Sequence, residues 1–576
     1  MAKHDRRELE QRQKRWIFLY LSATFLYGGV ASLALFHRQE STGFIVGCIT
    51  CLLLIASMNI MRFAQLLLQF RRKPPQVRLS LDLNSGIGPE RATAIIVPCV
   101  IENLKKALSL CSKLRNLSAV VNDPDVYYVL LADMPDSKQQ ALSQSELSLL
   151  NQTRALVDKL NKDIEFQDKK PFFLLYRDRV FSHTQRAWIG WERKRGKVLQ
   201  FAEYVAKGRS SFSVHEGELY RLRSVRYMMV LDEHTMLVRG TLQHLVGILS
   251  HPSNHPQLAS DKRSVDSGYA ILQPTIVLPR SCGKVACTTR ATPAPRDVYD
   301  ELLGQTWYLG RALIHVESFF SVIDAALPDE IILSHDAVES SLLPVGYAHG
   351  VFVLDRSPNR HDQRCRRYER WIRGDWQNLW WLFQPKSQCR VSIFGYVLVL
   401  MRVRQSLFRI AQVIVLLLGA AFNLSLLFTV LGMSLAPELL SVLIARRRSK
   451  RTDVLAVSLY RAIRIWMMWT CSSLHEAVLI VSAIMITAYR LIVGRKLLEW
   501  KATSLCKYEN RFLTGCTIYR IASATSCAFA IYANERILHL HNPFTFTWLL
   551  AIWIAADCFG IYRNAMPKAV RGKENL

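Results

Sequence analysis

Acidic residues are scarce in this chain of 576. Asp and Glu number 46 against 74 Lys and Arg, a formal charge of +28. Gly-rich phosphate loops of the two common types are missing after every strand-like run. A dinucleotide oxidoreductase and a P-loop nucleotidase are not expected on that ground. The 13 cysteines form no disulfide framework. They are scattered, and Cys48, Cys51, Cys471, Cys516, Cys527 and Cys558 lie in apolar runs. Cys48-x-x-Cys51 has redox or zinc spacing but no His partners nearby. Such thiols suit a reducing cytosol or a bilayer. No small-residue cleavage site follows the first apolar run, so it does not read as a signal peptide. Half of the residues are hydrophobic, which excludes a disordered or collagen-like chain. Between residues 62 and 407 there is no apolar run long enough to cross a membrane.

Such runs are present on either side of that stretch. After a basic N-terminus, residues 1–15, the runs 16–37 and 43–61 read as a transmembrane hairpin. The run 408–445 is about twice the length of one span and reads as a second hairpin. Residues 515–533 and 543–562 make a third. The intervening 446–514 is basic. Within it, 455–493 is interrupted by Arg461, Arg464, His475, Glu476 and Arg490, and reads as amphipathic helix lying at the interface. Lys/Arg-rich flanks at 3–15, 71–73, 446–451, 495–501 and 563–572 all fall on one side if about six spans form three hairpins. That side is expected to be the cytosol, which puts the 62–407 domain and the 563–576 tail there. Positive charge that flanks spans is topology signal and contact with anionic membrane lipid. Nucleic acid is not expected as a partner, because the charges form no single patch.

The cytosolic stretch alternates strand-like and helix-like segments. Strands are expected at Thr93–Val100, Val126–Asp133, Phe172–Tyr176 and Tyr227–Asp232. Helices are expected at 101–117, 138–163, 185–207 and 240–250. This rhythm predicts an α/β domain with a mainly parallel sheet, whose ligands bind at the carboxyl ends of the strands. Asp133 and Asp232 stand at two such ends.

Four motifs carry chemistry. Asp232-Glu-His234 follows a strand and can clamp a divalent ion, or form a solvated turn. Trp188-Ile-Gly-Trp-Glu-Arg-Lys-Arg-Gly-Lys197 packs four cations into five positions, which suits a diphosphate or a solvated helix face. Ser334-His-Asp336 offers a general base or a helix cap. Arg366-Arg-Tyr-Glu-Arg-Trp-Ile-Arg-Gly-Asp-Trp-Gln377 alternates guanidinium groups and indoles. They can hold phosphate and stack on sugar, or form an aromatic belt at the membrane surface.

The order of these pieces, followed by membrane segments, is the layout of processive membrane glycosyltransferases. More specifically, the chain resembles the glycosyltransferase part of cyclic β-1,2-glucan synthases. The matching stretches are WIGWERKRGK at 188–197, LVGILSHPSNHP at 245–256, GYAILQP at 268–274, ILSHD at 332–336, RWIRGDWQ at 370–377 and RKLLEW at 495–500. The resemblance runs from about residue 91 to about residue 505. It implies a GT-A-like α/β domain, inserted between transmembrane hairpins of a bacterial inner-membrane protein. It also implies an inverting transfer of glucose from UDP-glucose to a β-1,2-glucan acceptor. By the same resemblance, Asp133 binds the uridine end, and Lys194, Arg195 and Lys197 lie near the diphosphate. Asp232 and His234 hold Mg²⁺ or Mn²⁺, and Asp336 deprotonates the attacking hydroxyl. Arg370 and Trp371 grip leaving group and acceptor, with Trp376 and Gly310 on the acceptor side.

Three departures stand out. The family's Asp-Ala-Asp reads Asp232-Glu-His234 here. Its Gly-Lys-Gly acceptor loop reads Trp307-Tyr-Leu-Gly-Arg-Ala312. No phosphorylase-like domain follows before Leu576. The product is therefore expected to be linear, or trimmed by a separate enzyme and passed to an exporter. The competing readings are a catalytically inactive scaffold subunit and a transferase with a different donor or acceptor.

Overall fold

A computed structural model describes residues 2–33, 42–70, 77–163, 170–277, 297–324, 326–355, 361–384, 391–448, 452–499 and 542–553. Two long helices, α1 (Ala2–Ser32) and α2 (Thr42–Phe70), come first and pack on each other. The α/β part opens with β1 (Thr93–Val100), α3 (Leu104–Val121), β2 (Val126–Asp133), α4 (Gln144–Asp163) and β3 (Phe172–Tyr176). A hairpin of β4 (Arg179–Ser182) and β5 (Ala187–Gly190) leads into α5 (Arg193–Lys207) and β6 (Val214–Glu216). Then come β7 (Tyr227–Val230), β8 (Met236–Leu237), α6 (Thr241–Ser250), β9 (Gln257–Leu258), β10 (Val265–Ser267) and β11 (Ile271–Val277). The domain ends with α7 (Val298–Leu303), β12 (Leu313–His315), α8 (Val316–Ile323), α9 (His335–Leu342), β13 (Val345–Leu354) and α10 (His361–Leu382). Four more helices follow: α11 (Ile393–Phe422), α12 (Leu424–Arg448), α13 (Thr452–Cys471) and α14 (Ser473–Val493).

Nine strands form one sheet in the order β6-β3-β2-β1-β7-β12-β11-β13-β8. Strands β3, β2, β1 and β7 run parallel, as do β11 and β13. The three-residue β12 is antiparallel to both its neighbours, β7 and β11, and the edge strands β6 and β8 are antiparallel too. The sheet is therefore mixed, with six of its nine strands, β3, β2, β1, β7, β11 and β13, pointing the same way. Strands β1 to β3 are buried on both faces, so their side chains read as unbroken apolar runs, TAIIVPCV, VYYVLLAD and FFLLY. Helices α3, α4 and α6 cover one face, and α5, α8 and α9 the other.

Among the described residues four helices are long and apolar enough to cross a membrane: Ile45–Phe70, Ile393–Phe422, Leu424–Arg447 and Ser473–Val493. The break between the second and third falls at Asn423, whose carboxamide caps the next helix through the Leu426 amide at 3.2 Å. The expected hairpin at 408–445 is thus α11 and α12, but α11 begins at Ile393. The 455–493 stretch is two helices, and α14 has the length and apolarity of a span where an interfacial helix is expected. Its Glu476 bonds Arg409 of α11 at 2.8 Å, so one of the interrupting charges is matched within the bundle. The expected span 515–533 lies outside the described residues, and 543–562 is described only as the short helix Pro543–Trp553.

Candidate active site

The carboxyl ends of β1, β2 and β7 point to one edge of the sheet, where two acidic centres form. The first is Asp133, which closes β2. Arg177, one residue beyond β3, grips it with Nε at 2.6 Å and Nη2 at 3.1 Å. Lys197 of α5 lies 3.0 Å from the same carboxylate and donates to the Cys99 carbonyl at 2.6 Å. All three side chains are buried. Burial works against ionisation of Asp133, and Arg177 and Lys197 more than offset it, holding its carboxyl below the usual range. Gly190 is obligatory here, since a Cβ would lie 2.3 Å from an Asp133 oxygen.

The second centre is Asp232, just beyond β7 and more open. Lys194 Nζ bonds Asp232 Oδ1 at 2.6 Å, and Arg311 Nη2 bonds Oδ2 at 2.7 Å. Arg311 Nη2 also lies 2.9 Å from Asp355, the residue after β13. Burial opposes ionisation of Asp232, but Lys194 and Arg311 bring its carboxyl down to about 2. Lys113, pushed down to about 8 by burial, donates to the Asp232 carbonyl, and Lys106 pairs with Glu233. Arg367 and Arg370 of α10 face the same charges.

Asp336 stands beside this centre, in the first turn of α9, where the helix dipole favours a carboxylate. His335 Nε2 lies 2.9 Å from its Oδ1. Burial raises the Asp336 carboxyl, and His335 and Lys194 outweigh it, holding it well below the ordinary value. Glu339 is buried one turn on and is pushed up to about 7 by that burial. Donor atoms of His335, Asp336 and Glu339 lie within 4.8 Å of one another. The two carboxylates favour the charged form of His335 against its burial.

The loop before β12 completes the site. Lys194 Nζ donates to the Gly310 carbonyl at 2.8 Å. Gly310 has φ +76°, and a Cβ there would lie 2.9 Å from Asp336 Oδ2 and 3.2 Å from Lys194 Nζ. Gln273 brackets the loop. Its Oε1 accepts from the Leu309 amide at 2.9 Å and its Nε2 donates to the Arg311 carbonyl at 3.0 Å. This gives the GYAILQP stretch a physical purpose. RWIRGDWQ has one too: Gln377 accepts from the Leu333 amide at 3.2 Å, and Asn378 donates to the Ser334 carbonyl at 3.0 Å. Helix α10 thereby steadies the segment that carries Asp336. Gln377 Nε2 also donates to the Leu497 carbonyl at 3.1 Å, tying in the RKLLE stretch after α14.

Of the residues singled out from sequence, Lys194, Asp232, Gly310, Asp336 and Arg370 come together. Asp133 and Lys197 pair with each other in the buried centre. Arg195 is buried against Glu192 at 2.8 Å and the Pro328 carbonyl at 3.1 Å, away from Asp232. Trp371 is 42% exposed with Arg367 stacked over it at 4.7 Å, while Trp376 donates to Ser406 of α11 at 3.1 Å and packs among helices. Arg177 and Asp355 belong to none of the motifs in the sequence, and Arg311 stands out only as part of the changed loop Trp307–Ala312, not as a partner of Asp232. Asp355 carries the signal that marks Asp133, a carboxylate ending an apolar strand, VFVLD.

The metal expectation at Asp232 and His234 meets a different arrangement. Both Asp232 oxygens already face cations, and His234 is exposed. A divalent ion there would sit among Lys194, Arg311 and Lys113. At ~4 Å and an effective dielectric of ~20, each cation would repel it by roughly 8 kcal/mol. These residues do not fit a metal held by that pair.

The cyclic beta-(1,2)-glucan synthase NdvB of Rhizobium meliloti (strain 1021) is 27% identical over 514 residues, covering 84% of this chain. The chain is a relative of that synthase. It spans 18% of the synthase's length. No family model matches the chain. Among solved structures, the mannosyltransferase PcManGT from Pyrobaculum calidifontis, in complex with GDP-Man and Mn²⁺, aligns with a TM-score of 0.36 and 10% identity, over 77% of this chain and 99% of that one.

Proposed function

We propose that this chain, a glycosyltransferase related to cyclic β-(1,2)-glucan synthases, transfers glucose from UDP-glucose to a growing β-1,2-glucan with inversion. Its GT-A-like domain works on the cytosolic side of a bacterial inner membrane, held there by about six spans. One observation carries the reading: Lys194 and Arg311 converge on Asp232, with Asp336 beside them and Arg370 of α10 within electrostatic reach of both carboxylates.

In the reaction the acceptor's 2-hydroxyl oxygen attacks C1 of glucose, and the bond from C1 to the diphosphate oxygen breaks. The hydroxyl proton passes to Asp336, kept as carboxylate by His335 and Lys194. UDP departs carrying the bonding pair, and the cations around Asp232 stabilise its developing charge. Exposed Trp371 offers an indole face to acceptor sugar at the rim.

The test is transfer of labelled glucose from UDP-glucose in membranes expressing the full chain. The expected product is a polymer that β-1,2-specific hydrolysis releases, with Asp336→Asn reducing it by roughly 10²–10⁴-fold. Absence of transfer beside an active synthase control would refute the glucose donor. A labelled polymer that resists β-1,2 hydrolysis would refute the linkage alone.

A further inference from the structure

We propose that Lys194 and Arg311 form a built-in cationic clamp, which binds the diphosphate of the donor without a resident divalent ion. This rests on the glycosyltransferase reading and adds to it the way the donor is held.

Arg311 Nη2 lies between two carboxylates, 2.7 Å from Asp232 and 2.9 Å from Asp355. A cation bridging two acids at a strand end is what a metal ion would be in that place. The guanidinium is held there by the fold. The Arg311 carbonyl is fixed by Gln273, the Leu309 amide by the same side chain, and the Tyr308 amide by Ser340 at 2.9 Å. Left-handed Gly310 turns the chain so that Arg311 meets Asp232 while the Gly310 carbonyl meets Lys194.

Both cations keep donors in reserve. Lys194 Nζ uses two of its three N–H groups, on Asp232 and on Gly310. Arg311 Nε is buried and makes no hydrogen bond within the protein. Lys106, Lys113, Arg367 and Arg370 add to the field, so six cations face Asp232, Glu233, Asp355 and Asp336. That excess of positive charge suits an incoming diphosphate and repels a lone divalent ion.

The experiment measures binding of UDP and of GDP to the full chain in lipid nanodiscs, by calorimetry, in EDTA and in Mn²⁺. Wild-type affinity for the preferred diphosphate is expected to change by less than about threefold between the two conditions. Arg311→Ala and Lys194→Ala are each expected to weaken binding in EDTA by about tenfold or more, the scale of one charge-assisted hydrogen bond. Arg311→Lys, which keeps the charge, should recover part of the loss and guards against misfolding as the cause. Mn²⁺ titrated into the nucleotide-free protein and followed by electron paramagnetic resonance should stay in solution. Wild-type binding that collapses on chelation, with Arg311→Ala harmless, would overturn the clamp and leave the transferase reading standing. Failure of both diphosphates to bind under any condition would overturn the two together.

Discussion

Asp133 and Asp232 follow strands that flank β1 in one sheet, and in the sequence they carry the same signal, a carboxylate after an apolar run. Their surroundings differ. The Asp133 side chain is 7% exposed and takes bonds from Arg177 and Lys197. The Asp232 side chain is 37% exposed, and one of its cations, Arg311, is shared with a second acid. What separates them is the segment opposite. The hairpin β4–β5 closes over Asp133, so that even a methyl group at Gly190 would not fit. Over Asp232 lies the Gly310–Arg311 loop, which leaves its side chain 37% exposed. A buried, fully paired carboxylate is a fastening. An accessible one beside unspent donors is a place for chemistry.

Four substitutions sharpen or break this contrast. The largest effect is expected for Asp133→Ala, which strands Arg177 and Lys197 in the interior. The cost is about 3–5 kcal/mol, seen as a Tm lower by roughly 5–10 °C, while Asp232→Ala shifts Tm far less and abolishes transfer. Equal Tm losses in thermal unfolding would erase the distinction. Next is Gly310→Ala, which combines a left-handed φ with a Cβ against Asp336. It should cost about 1–2 kcal/mol of stability, and slow transfer by roughly tenfold through displacement of the base. An unchanged rate would show that the loop has slack.

The smallest effect is a pH dependence. The folded-state pKa of His335 is raised above its ordinary 6.5. Its stabilising contribution is therefore fully present below that value and fades as pH rises through the raised one. The Tm difference between wild type and His335→Gln should shrink from pH 6 to pH 9. A difference that widens over that range would reverse the assignment of charge in the His335–Asp336–Glu339 group.

Strands β1 to β3 were legible to the residue, because a strand buried on both faces is apolar throughout. The β4–β5 hairpin was not. Strand β5 falls within the stretch 185–207 that reads as helix, and β4 falls between the expected elements, since four-residue strands give little periodicity. The antiparallel β12 is shorter still and is defined by its neighbours, not by its own pattern. At the site, Lys194, Asp232 and Asp336 announced themselves by charge within quoted motifs. Arg311 lies 79 positions from its partner Asp232, and Arg177 lies 44 from Asp133. Ion pairs of that span leave no local trace. The Arg461–Arg490 charges pointed to a surface helix, but the Glu476–Arg409 pair between α14 and α11 can only be seen once the helices are side by side.

The helices that precede and follow the α/β domain are neighbours. Helix α2 packs against α11 and α12, and Asn59 of α2 donates to the Met433 carbonyl of α12 at 2.8 Å. In polymer terms, the chain from Phe70 to Ile393 is a loop whose two ends are tied. Closing a flexible loop of that length costs on the order of 5 kcal/mol in chain entropy, and the cost grows only as the logarithm of length. While the helix pair stays together that cost is already met. An unfolded domain would remain a tethered ring with fewer conformations to gain. The membrane-side helices thus act on the domain's stability through its denatured state as well as through the contacts they make with it.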